Sequence, residues 1–192
     1  MTDVSTFAAK KDALRKQVLA RRKAMSDIER IEKSLQLVDH SHTLPLPEGA
    51  IVAGFWPIRD EIDPRPLLDT LRQKGHRLSL PVMTGPSLIF RSLERDTELV
   101  EAGFGCREPG PQAQELRPDV LLMPLAGFDA SGNRIGYGRA FYDTTIAALE
   151  ASAPLLCIGV AFSVQEVDRV PTEAHDKPLH GILTEQGFRS FG

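Results

Sequence analysis

Short apolar runs alternate along this chain with segments of helical periodicity. Three of the runs, at residues 50–55, 119–124 and 155–162, are apolar at most positions and predict buried strands. Strands of this kind need cover on both faces, which is typical of a parallel sheet. Together with the intervening helices, they predict an α/β fold: a single domain over residues 1–192 with a mostly parallel, twisted sheet and helices on both faces, in a three-layer, Rossmann-like arrangement.

The other predicted elements fill the intervals between these strands. Ser26 followed by Glu29 is a capping-box pattern, which predicts that a second helix begins there and ends before Pro45. We predict helices at residues 7–22, 26–42, 66–74 and 141–152, and further strands at 77–82, 88–93 and 182–184. Residues 57–66 and 94–118 are predicted as loops, the second with little regular structure, and residues 129–133 as a turn.

Composition excludes several classes of function. The 192 residues carry a net charge of −3, so no overall field attracts nucleic acid. No apolar run approaches the roughly 18 residues that a membrane span needs, and the N-terminus has no apolar signal core. Cys106 and Cys157 lie far apart without metal-ligand spacing, which favours a reduced protein. We therefore expect a cytoplasmic monomer that acts on small molecules, with no nucleic-acid or membrane partner.

The most informative segment follows the strand at 119–124 and opens a helix. Gly136 and Gly138 let the backbone approach a ligand, and the helix N-terminus offers N–H groups to an anion. Arg134 and Arg139 add charge suited to phosphate. Asp143 either stabilises the helix end or holds Mg²⁺ against phosphates. The segment predicts a phosphate site, with a capped glycine-rich turn as the alternative; it lacks the ending of a Walker A loop.

A pair of cations marks the first predicted helix. Lys11 and Arg15 lie one turn apart on the same side of that helix. Two cations so placed can grip one phosphate chain. A solvated basic face is the commoner fate of such a row, and the pattern alone favours that interpretation.

An acidic loop follows the first buried strand. Its residues 59–63 include Glu61, which can accept hydrogen bonds from a pterin or amide ring. They also include Asp63, which can instead cap the helix that begins around Pro64. Trp56, between the strand and the loop, either packs in the core or stacks on a flat ligand.

A second acidic segment lies near the end of the chain. His175 and Asp176 form either ordinary surface structure or, through Asp176, a second carboxylate for a metal ion. Because the spacing of such ligands is non-local, the sequence leaves both interpretations open. No serine nucleophile elbow and no Cys–His signature stands out.

Taken in order, these segments resemble the 5-formyltetrahydrofolate cyclo-ligase family, also called 5,10-methenyltetrahydrofolate synthetases. The resemblance extends from Lys11 and Arg15 through residues 60–63, 123–129 and 132–143 to 175–176 and 183–185. Residues 132–143 are its most specific part. The resemblance implies conversion of 5-formyltetrahydrofolate into 5,10-methenyltetrahydrofolate, with Mg²⁺ as cofactor and ATP as a co-substrate that leaves as ADP and phosphate.

The resemblance also implies a role for each candidate residue. Arg134 and Arg139 would be catalytic, and Asp143 and Asp176 would anchor Mg²⁺. The ATP-binding residues would be Lys11, Arg15, Arg134, Ile135, Gly136, Tyr137, Gly138, Arg139, Ala140, Phe141 and Tyr142. The folate-binding residues would be Trp56, Glu61, Tyr137, Gly138, Arg139, Ala140 and Phe141.

Two residues depart from the family's pattern. Ala140 replaces a glycine, which matters if that position needs a positive φ angle. We place residue 140 in the first turn of the following helix, where alanine is harmless. His180 stands where many members have Asp. A sugar-phosphate isomerase or kinase on a similar sheet, and a non-enzymatic binder of folate or nucleotide, are the alternative functions.

Overall fold

A central sheet with helices on both faces organises the molecule. The computed structural model describes residues 3–103, 105–138, 141–173 and 176–191. Within these ranges the strands are β1 Ile51–Ala53, β2 Arg77–Thr84, β3 Ser87–Ser92, β4 Leu99–Glu101, β5 Arg107–Pro109, β6 Val120–Pro124, β7 Gly127–Phe128, β8 Arg134–Ile135, β9 Leu156–Val160, β10 Gly181–Thr184 and β11 Gly187–Ser190. The helices are α1 Asp3–Lys23, α2 Asp27–Gln36, α3 Arg65–Gln73 and α4 Phe141–Glu150, with a 3₁₀ helix at Ser163–Gln165.

Seven of these strands form the sheet, in the order β11-β10-β9-β6-β1-β2-β3. Each neighbouring pair from β10 to β2 is parallel. The two edge strands, β3 and β11, pair antiparallel with their neighbours. The predicted α/β class and the mostly parallel sheet are therefore confirmed.

Alternate residues of the central strand β6 enter two separate hydrophobic clusters. Val120 and Leu122 pack in the cluster that contains Leu67 and Leu71 of α3. Leu121 and Met123 pack in the cluster that contains Ile146 of α4. All four β6 side chains are buried because both faces of the sheet are covered, which is the reason that the run is apolar throughout.

Helix α1 lies against elements that follow the carboxyl ends of the central strands. It contacts β7, which follows β6, and the 3₁₀ helix, which follows β9. Val18 is fully buried at this contact, where its methyl groups lie 3.4 Å from the position that a Cβ on Gly127 would take. Since ligands of parallel sheets bind at the carboxyl ends of strands, α1 is placed at the expected binding edge.

Several sequence-based predictions of local structure were wrong. Helix α2 ends at Gln36 rather than near residue 42, and the chain continues through i→i+3 turns such as the bond from the Ser41 N–H to the Val38 carbonyl. Residues 94–118 contain the β4–β5 hairpin, and β11 and the β7–β8 hairpin were not predicted. These strands have two to four residues, too few for a periodic pattern. No helix in the described ranges is long and apolar enough to cross a membrane.

Candidate active site

The cations of α1 point into the candidate site rather than into open solvent. Lys11 Nζ lies 2.6 Å from an Asp176 oxygen and 3.2 Å from a Glu173 oxygen. Arg15 Nε donates to the Gly136 carbonyl at 2.8 Å, and its guanidinium pairs with Asp12. Each cation is about four-fifths buried, so the solvated basic face favoured by the pattern alone is wrong.

A cavity of about 390 Å³ opens beside these two cations. Its lining comes from α1, from the glycine segment and from the segment after residue 170: Phe7, Ala8, Lys11, Asp12, Arg15, Tyr137, Gly138 and Glu173. Two cations one helical turn apart on the wall of such a cavity suit a chain of phosphates.

The glycine segment approaches α1 closely. Gly138 has a φ angle of +90°, a conformation that L side chains rarely adopt. A Cβ built on Gly138 would lie 3.7 Å from the Arg15 guanidinium carbon. A side chain at position 138 would therefore be strained and would extend toward Arg15.

A helix was predicted to follow the glycine segment at residue 141, and α4 begins at Phe141. Arg139 and Ala140 lie outside the described residues, so their predicted roles and the helical placement of residue 140 remain predictions. Ile135 is buried in a small cluster with Ala126 and Val170, which leaves only its backbone for a ligand. Phe141 and Tyr142 are half-buried at the start of α4, and Tyr142 packs against the core beneath that helix.

Arg134 and Asp143 form a nearly buried ion pair at the start of α4. Arg134 Nη2 lies 2.5 Å from Asp143 Oδ1, and its other terminal nitrogen donates to the Lys177 carbonyl. The pair ties β8 to the first turn of α4, so the arginine predicted to be catalytic sits beside a carboxylate predicted to hold Mg²⁺.

Of the two carboxylates predicted to anchor Mg²⁺, Asp143 lies beside the segment that follows the other, Asp176. The Lys177 N–H, next in the chain to Asp176, lies 3.5 Å from Asp143 Oδ1. In the described ranges no group of three or more His, Cys, Asp or Glu residues is arranged to hold a metal ion. Magnesium beside a nucleotide is commonly held by one or two carboxylates plus phosphate oxygens, so the hard oxygen donors of Asp143 and Asp176 fit that ion. His175 lies outside the described residues.

A second part of the site surrounds Glu61, which is 8% exposed. Its Oε2 accepts from the Ile58 N–H at 3.0 Å, and the Tyr137 hydroxyl lies beside its carboxylate. Burial raises the pKa of Glu61 above its ordinary value, against the opposing effect of these two neighbours and of the Arg22 charge. Glu61 is thus a buried acid whose charged form is disfavoured by burial.

Arg22 holds this acidic loop to the glycine segment. Its guanidinium lies 3.0 and 3.3 Å from the two Asp60 oxygens, and Nη1 donates to the Tyr137 hydroxyl at 2.6 Å. Sequence analysis did not identify Arg22 as part of the site. The available signal was its position seven residues after Arg15, on the same side of α1.

Trp56 lies in a different cavity from Lys11 and Arg15. It packs against the core beneath α3, and the Arg65 guanidinium lies 4.8 Å from its ring centroid. Both residues line a second cavity, of about 430 Å³, beside α3. The N-cap position of α3 is Pro64, and Asp63, which was predicted to cap this helix, accepts from the Arg65 N–H at its start.

His180, the second departure from the expected pattern, has a structural role. The His180 ring nitrogen Nδ1 accepts from the Cys157 N–H at 3.0 Å, and the backbone N–H of His180 donates to the Cys157 carbonyl at 2.8 Å. The side chain therefore extends the pairing of β9 with the segment before β10. None of these contacts involves the cavities described above.

A parallel sheet whose carboxyl edge gathers cations, carboxylates and a glycine segment before a helix is typical of α/β enzymes that bind phosphorylated ligands. Comparison with known proteins is more specific. The model of the 5-formyltetrahydrofolate cyclo-ligase family matches residues 7–185. The chain therefore belongs to this family and is an enzyme of the cyclo-ligase class.

Individual relatives agree with this assignment. The 5-formyltetrahydrofolate cyclo-ligase of Escherichia coli (strain K12) is 31% identical over 174 residues, which are 85% of this chain and 94% of the relative. That of Haemophilus influenzae is 33% identical over 139 residues, 69% of this chain and 74% of the relative. The NMR structure of Aquifex aeolicus 5,10-methenyltetrahydrofolate synthetase has a TM-score of 0.79 at 30% identity, covering 94% of this chain and 92% of that one.

Proposed function

We propose that this enzyme converts 5-formyltetrahydrofolate into 5,10-methenyltetrahydrofolate and consumes ATP, with Mg²⁺, to ADP and phosphate. Membership of the cyclo-ligase family supports 5-formyltetrahydrofolate as the substrate and 5,10-methenyltetrahydrofolate as the product. The observation that carries the nucleotide part is the placement of Lys11 and Arg15 on the wall of one cavity, facing the glycine segment at Gly138.

The reaction requires the formyl oxygen to leave, and a formamide oxygen is a poor leaving group. In the proposed sequence this oxygen attacks the γ-phosphorus of ATP, the bond to the ADP oxygen breaks, and an iminium phosphate forms on N5. The N10 amine then attacks the same carbon and loses its proton, and phosphate departs with the former formyl oxygen. No enzyme nucleophile takes part, so the protein mainly positions the two substrates and neutralises charge.

Cations supply this neutralisation. Lys11 and Arg15 bind the phosphate chain of ATP from α1, and Arg134 and Arg139 are assigned to stabilise the charge of the transferring group. The backbone of residues 135–138 and 140–142 completes the nucleotide site, which matches the close approach of Gly136 to Arg15.

Asp143 and Asp176 would hold Mg²⁺, which would supply positive charge to offset the negative charge of the phosphates. Both carboxylates are paired with cations, Asp143 with Arg134 and Asp176 with Lys11. Phosphates attract the same two cations, so nucleotide binding would free the two carboxylates to hold Mg²⁺. Binding of Mg²⁺ to the carboxylates would likewise free the two cations to bind phosphate.

Folate occupies the part of the site that contains Glu61. The Glu61 carboxylate accepts hydrogen bonds from the pterin ring, as a buried acid with a spare oxygen can. Tyr137, Gly138 and residues 139–141 are assigned the neighbouring contacts with the substrate. Trp56 lines the second cavity beside α3, so it contacts the folate only where the folate extends into that cavity. We expect Tyr137 to lie between the two substrates, since it lines the nucleotide cavity and lies beside Glu61.

Transfer of the formyl oxygen to phosphate gives a direct test. The enzyme is incubated with ATP, Mg²⁺ and 5-formyltetrahydrofolate that carries ¹⁸O in the formyl group, and the released phosphate is analysed by mass spectrometry. We expect one ¹⁸O in each phosphate. Unlabelled phosphate would mean that water attacks ATP and would contradict the proposed sequence. The matched control is tetrahydrofolate, which has no formyl oxygen and should yield no labelled phosphate.

A further inference from the structure

Arg22 is a buried cation that the proposed chemistry does not use. It is 4% exposed, yet it lies on α1, whose cations at Lys11 and Arg15 face the nucleotide cavity. Its guanidinium accounts for three hydrogen bonds, two to the Asp60 carboxylate and one to the Tyr137 hydroxyl. The guanidinium carbon also lies 5.7 Å from the Tyr137 ring centroid. A buried charge with this many fixed partners locks their geometry.

The contact with Tyr137 determines where the tyrosine proton points. A phenolic hydroxyl has one proton to donate, and at Tyr137 the oxygen already accepts from Arg22 at 2.6 Å. The proton is thereby directed away from Arg22, toward the Leu125 carbonyl at 3.4 Å and the neighbouring Glu61 carboxylate. Arg22 thus fixes a hydroxyl that lies beside Glu61, without donating to Glu61 itself.

Helix α1 holds two successive residues of the glycine segment. Arg15 Nε donates to the Gly136 carbonyl, and Arg22 donates to the side chain of Tyr137. The same guanidinium of Arg22 holds Asp60, the residue before Glu61. The helix that carries the nucleotide cations therefore also contacts Tyr137 and the loop that contains Glu61.

We propose that Arg22 is a positioning residue for the folate half of the site. It holds Tyr137 and the loop at residues 60–61 so that the Glu61 carboxylate is ready to receive the pterin, and it makes no contact with the phosphates. This inference rests on the proposed function. It predicts a specific kinetic signature: loss of Arg22 weakens folate binding and leaves ATP binding intact.

The test compares Arg22→Lys with Arg21→Lys in steady-state kinetics of methenyltetrahydrofolate formation. Lysine keeps the charge of Arg22, but its single ammonium group cannot span Asp60 and the Tyr137 hydroxyl as the planar guanidinium does. We expect Arg22→Lys to raise the KM for 5-formyltetrahydrofolate about tenfold, the size of one lost charge-assisted hydrogen bond, and to change the KM for ATP less than about twofold. Arg21 is exposed and donates only to the Glu166 carbonyl at 3.3 Å among the described contacts, so Arg21→Lys should match the wild type.

A double variant separates positioning from a general loss of structure. If Arg22 acts through the Tyr137 hydroxyl, adding Tyr137→Phe to Arg22→Lys should raise the folate KM by less than the product of the two single effects. Independent effects that multiply would overturn the inference. So would equal rises of both KM values, or an unchanged folate KM in a folded Arg22→Lys protein.

Asp60→Asn serves as a second variant should Arg22→Lys not fold. The amide introduced at position 60 would accept from the Arg22 guanidinium more weakly than the Asp60 carboxylate does, while the sizes of both side chains stay nearly the same. We expect a rise of several-fold in the KM for 5-formyltetrahydrofolate and no change in the KM for ATP. An unchanged folate KM in Asp60→Asn would overturn the inference. A wild-type enzyme that forms no methenyl product would instead overturn the proposed function, and this inference with it.

Discussion

Lys11 Nζ lies 2.6 Å from the Asp176 carboxylate, which joins a cation near the start of the chain to an acid near its end beside the nucleotide cavity. In the proposed function the two groups separate when ligands bind, Lys11 toward phosphate and Asp176 toward Mg²⁺. The ion pair neutralises each group and holds both beside the cavity.

Replacement of Lys11 tests the nucleotide half of this account. Lys11→Met should raise the KM for ATP by about one to two decades, because a charge-assisted contact contributes roughly 1.5–3 kcal/mol. The KM for 5-formyltetrahydrofolate should change much less. Lys10→Met is the matched control, since Lys10 is the exposed neighbour on the same helix. Equal, small effects of both variants on both substrates would favour a purely structural role for Lys11.

Asp143→Asn tests the metal half. An amide keeps the shape of the side chain but cannot neutralise Mg²⁺, so kcat should fall steeply and the Mg²⁺ concentration for half-maximal rate should rise. Arg134 also loses its ionic partner, and a thermal melt is needed to show that the variant is folded. Asp96→Asn, at an exposed loop position, is the control. A folded Asp143→Asn enzyme with unchanged kcat/KM would exclude the metal assignment.

The folate half should show a characteristic pH dependence. Burial raises the pKa of Glu61, while Tyr137, the Ile58 N–H and Arg22 lower it and Asp60 raises it, with burial prevailing. If the charged carboxylate binds the pterin, affinity falls as pH decreases through this raised pKa, at a higher pH than for an exposed glutamate near about 4.3. The measurement is the KM for 5-formyltetrahydrofolate against pH.

Glu61→Gln provides the control for that profile, because an amide does not titrate. The variant should bind 5-formyltetrahydrofolate more weakly at neutral pH and should lack the acidic limb, with the KM for ATP nearly unchanged. Retention of the acidic limb in Glu61→Gln would assign it to the substrate or to another residue.

Asp129 should dominate the stability of the β7–β8 hairpin. This 2%-exposed carboxylate accepts from the N–H groups of Ser131, Asn133 and Val170 and from the Asn133 amide. Asp129→Ala leaves these donors unsatisfied, and we expect a loss of about 2–4 kcal/mol in the free energy of unfolding at pH 7, from about 1–3 kcal/mol for each buried group left unpaired. Urea denaturation measures the change, with the exposed Asp39→Ala as control.

The stability contributed by Asp129 should also depend on pH. Burial raises its pKa, but the hydrogen bonds from Val170, Asn133 and Ser131 outweigh burial and hold the pKa below the ordinary value. A carboxyl with a depressed folded-state pKa contributes fully above its unfolded pKa of about 3.9, and the contribution is lost as pH falls through the folded value. The difference between the wild type and Asp129→Ala should therefore narrow below about pH 4. A difference that is the same at pH 7 and pH 3 would contradict this explanation.

The sequence predicted those parts of the fold that local pattern determines. The strand around Leu121 is apolar at successive positions because both of its faces are buried, and a run of that kind is recognisable without tertiary information. The short β4–β5 hairpin carries no such pattern, because three residues are too few to show a recognisable apolar or alternating run. Its formation depends on pairing across the loop, for example between Val100 and Glu108.

The candidate site divides in the same way. The glycine segment was recognisable because its residues are adjacent in the chain and precede a helix. Arg22 and Asp60 are 38 residues apart and form a contact only through the tertiary fold, so neither position signals the pair by itself. The same holds for the contact between Lys11 and Asp176. The pattern of cations on α1 alone favoured a solvated face.

The most direct test of the central claim is the appearance of the methenyl chromophore in the near ultraviolet. The purified wild-type protein is incubated with 5-formyltetrahydrofolate, ATP and Mg²⁺, and matched reactions omit ATP, omit Mg²⁺ or contain the Asp143→Asn variant. We predict that absorbance rises in the complete reaction, with one ADP formed per methenyl group, and that it fails to rise without ATP and falls far behind without Mg²⁺ or with the variant. A complete reaction with no absorbance change, or a change that does not require ATP, would contradict the proposed function.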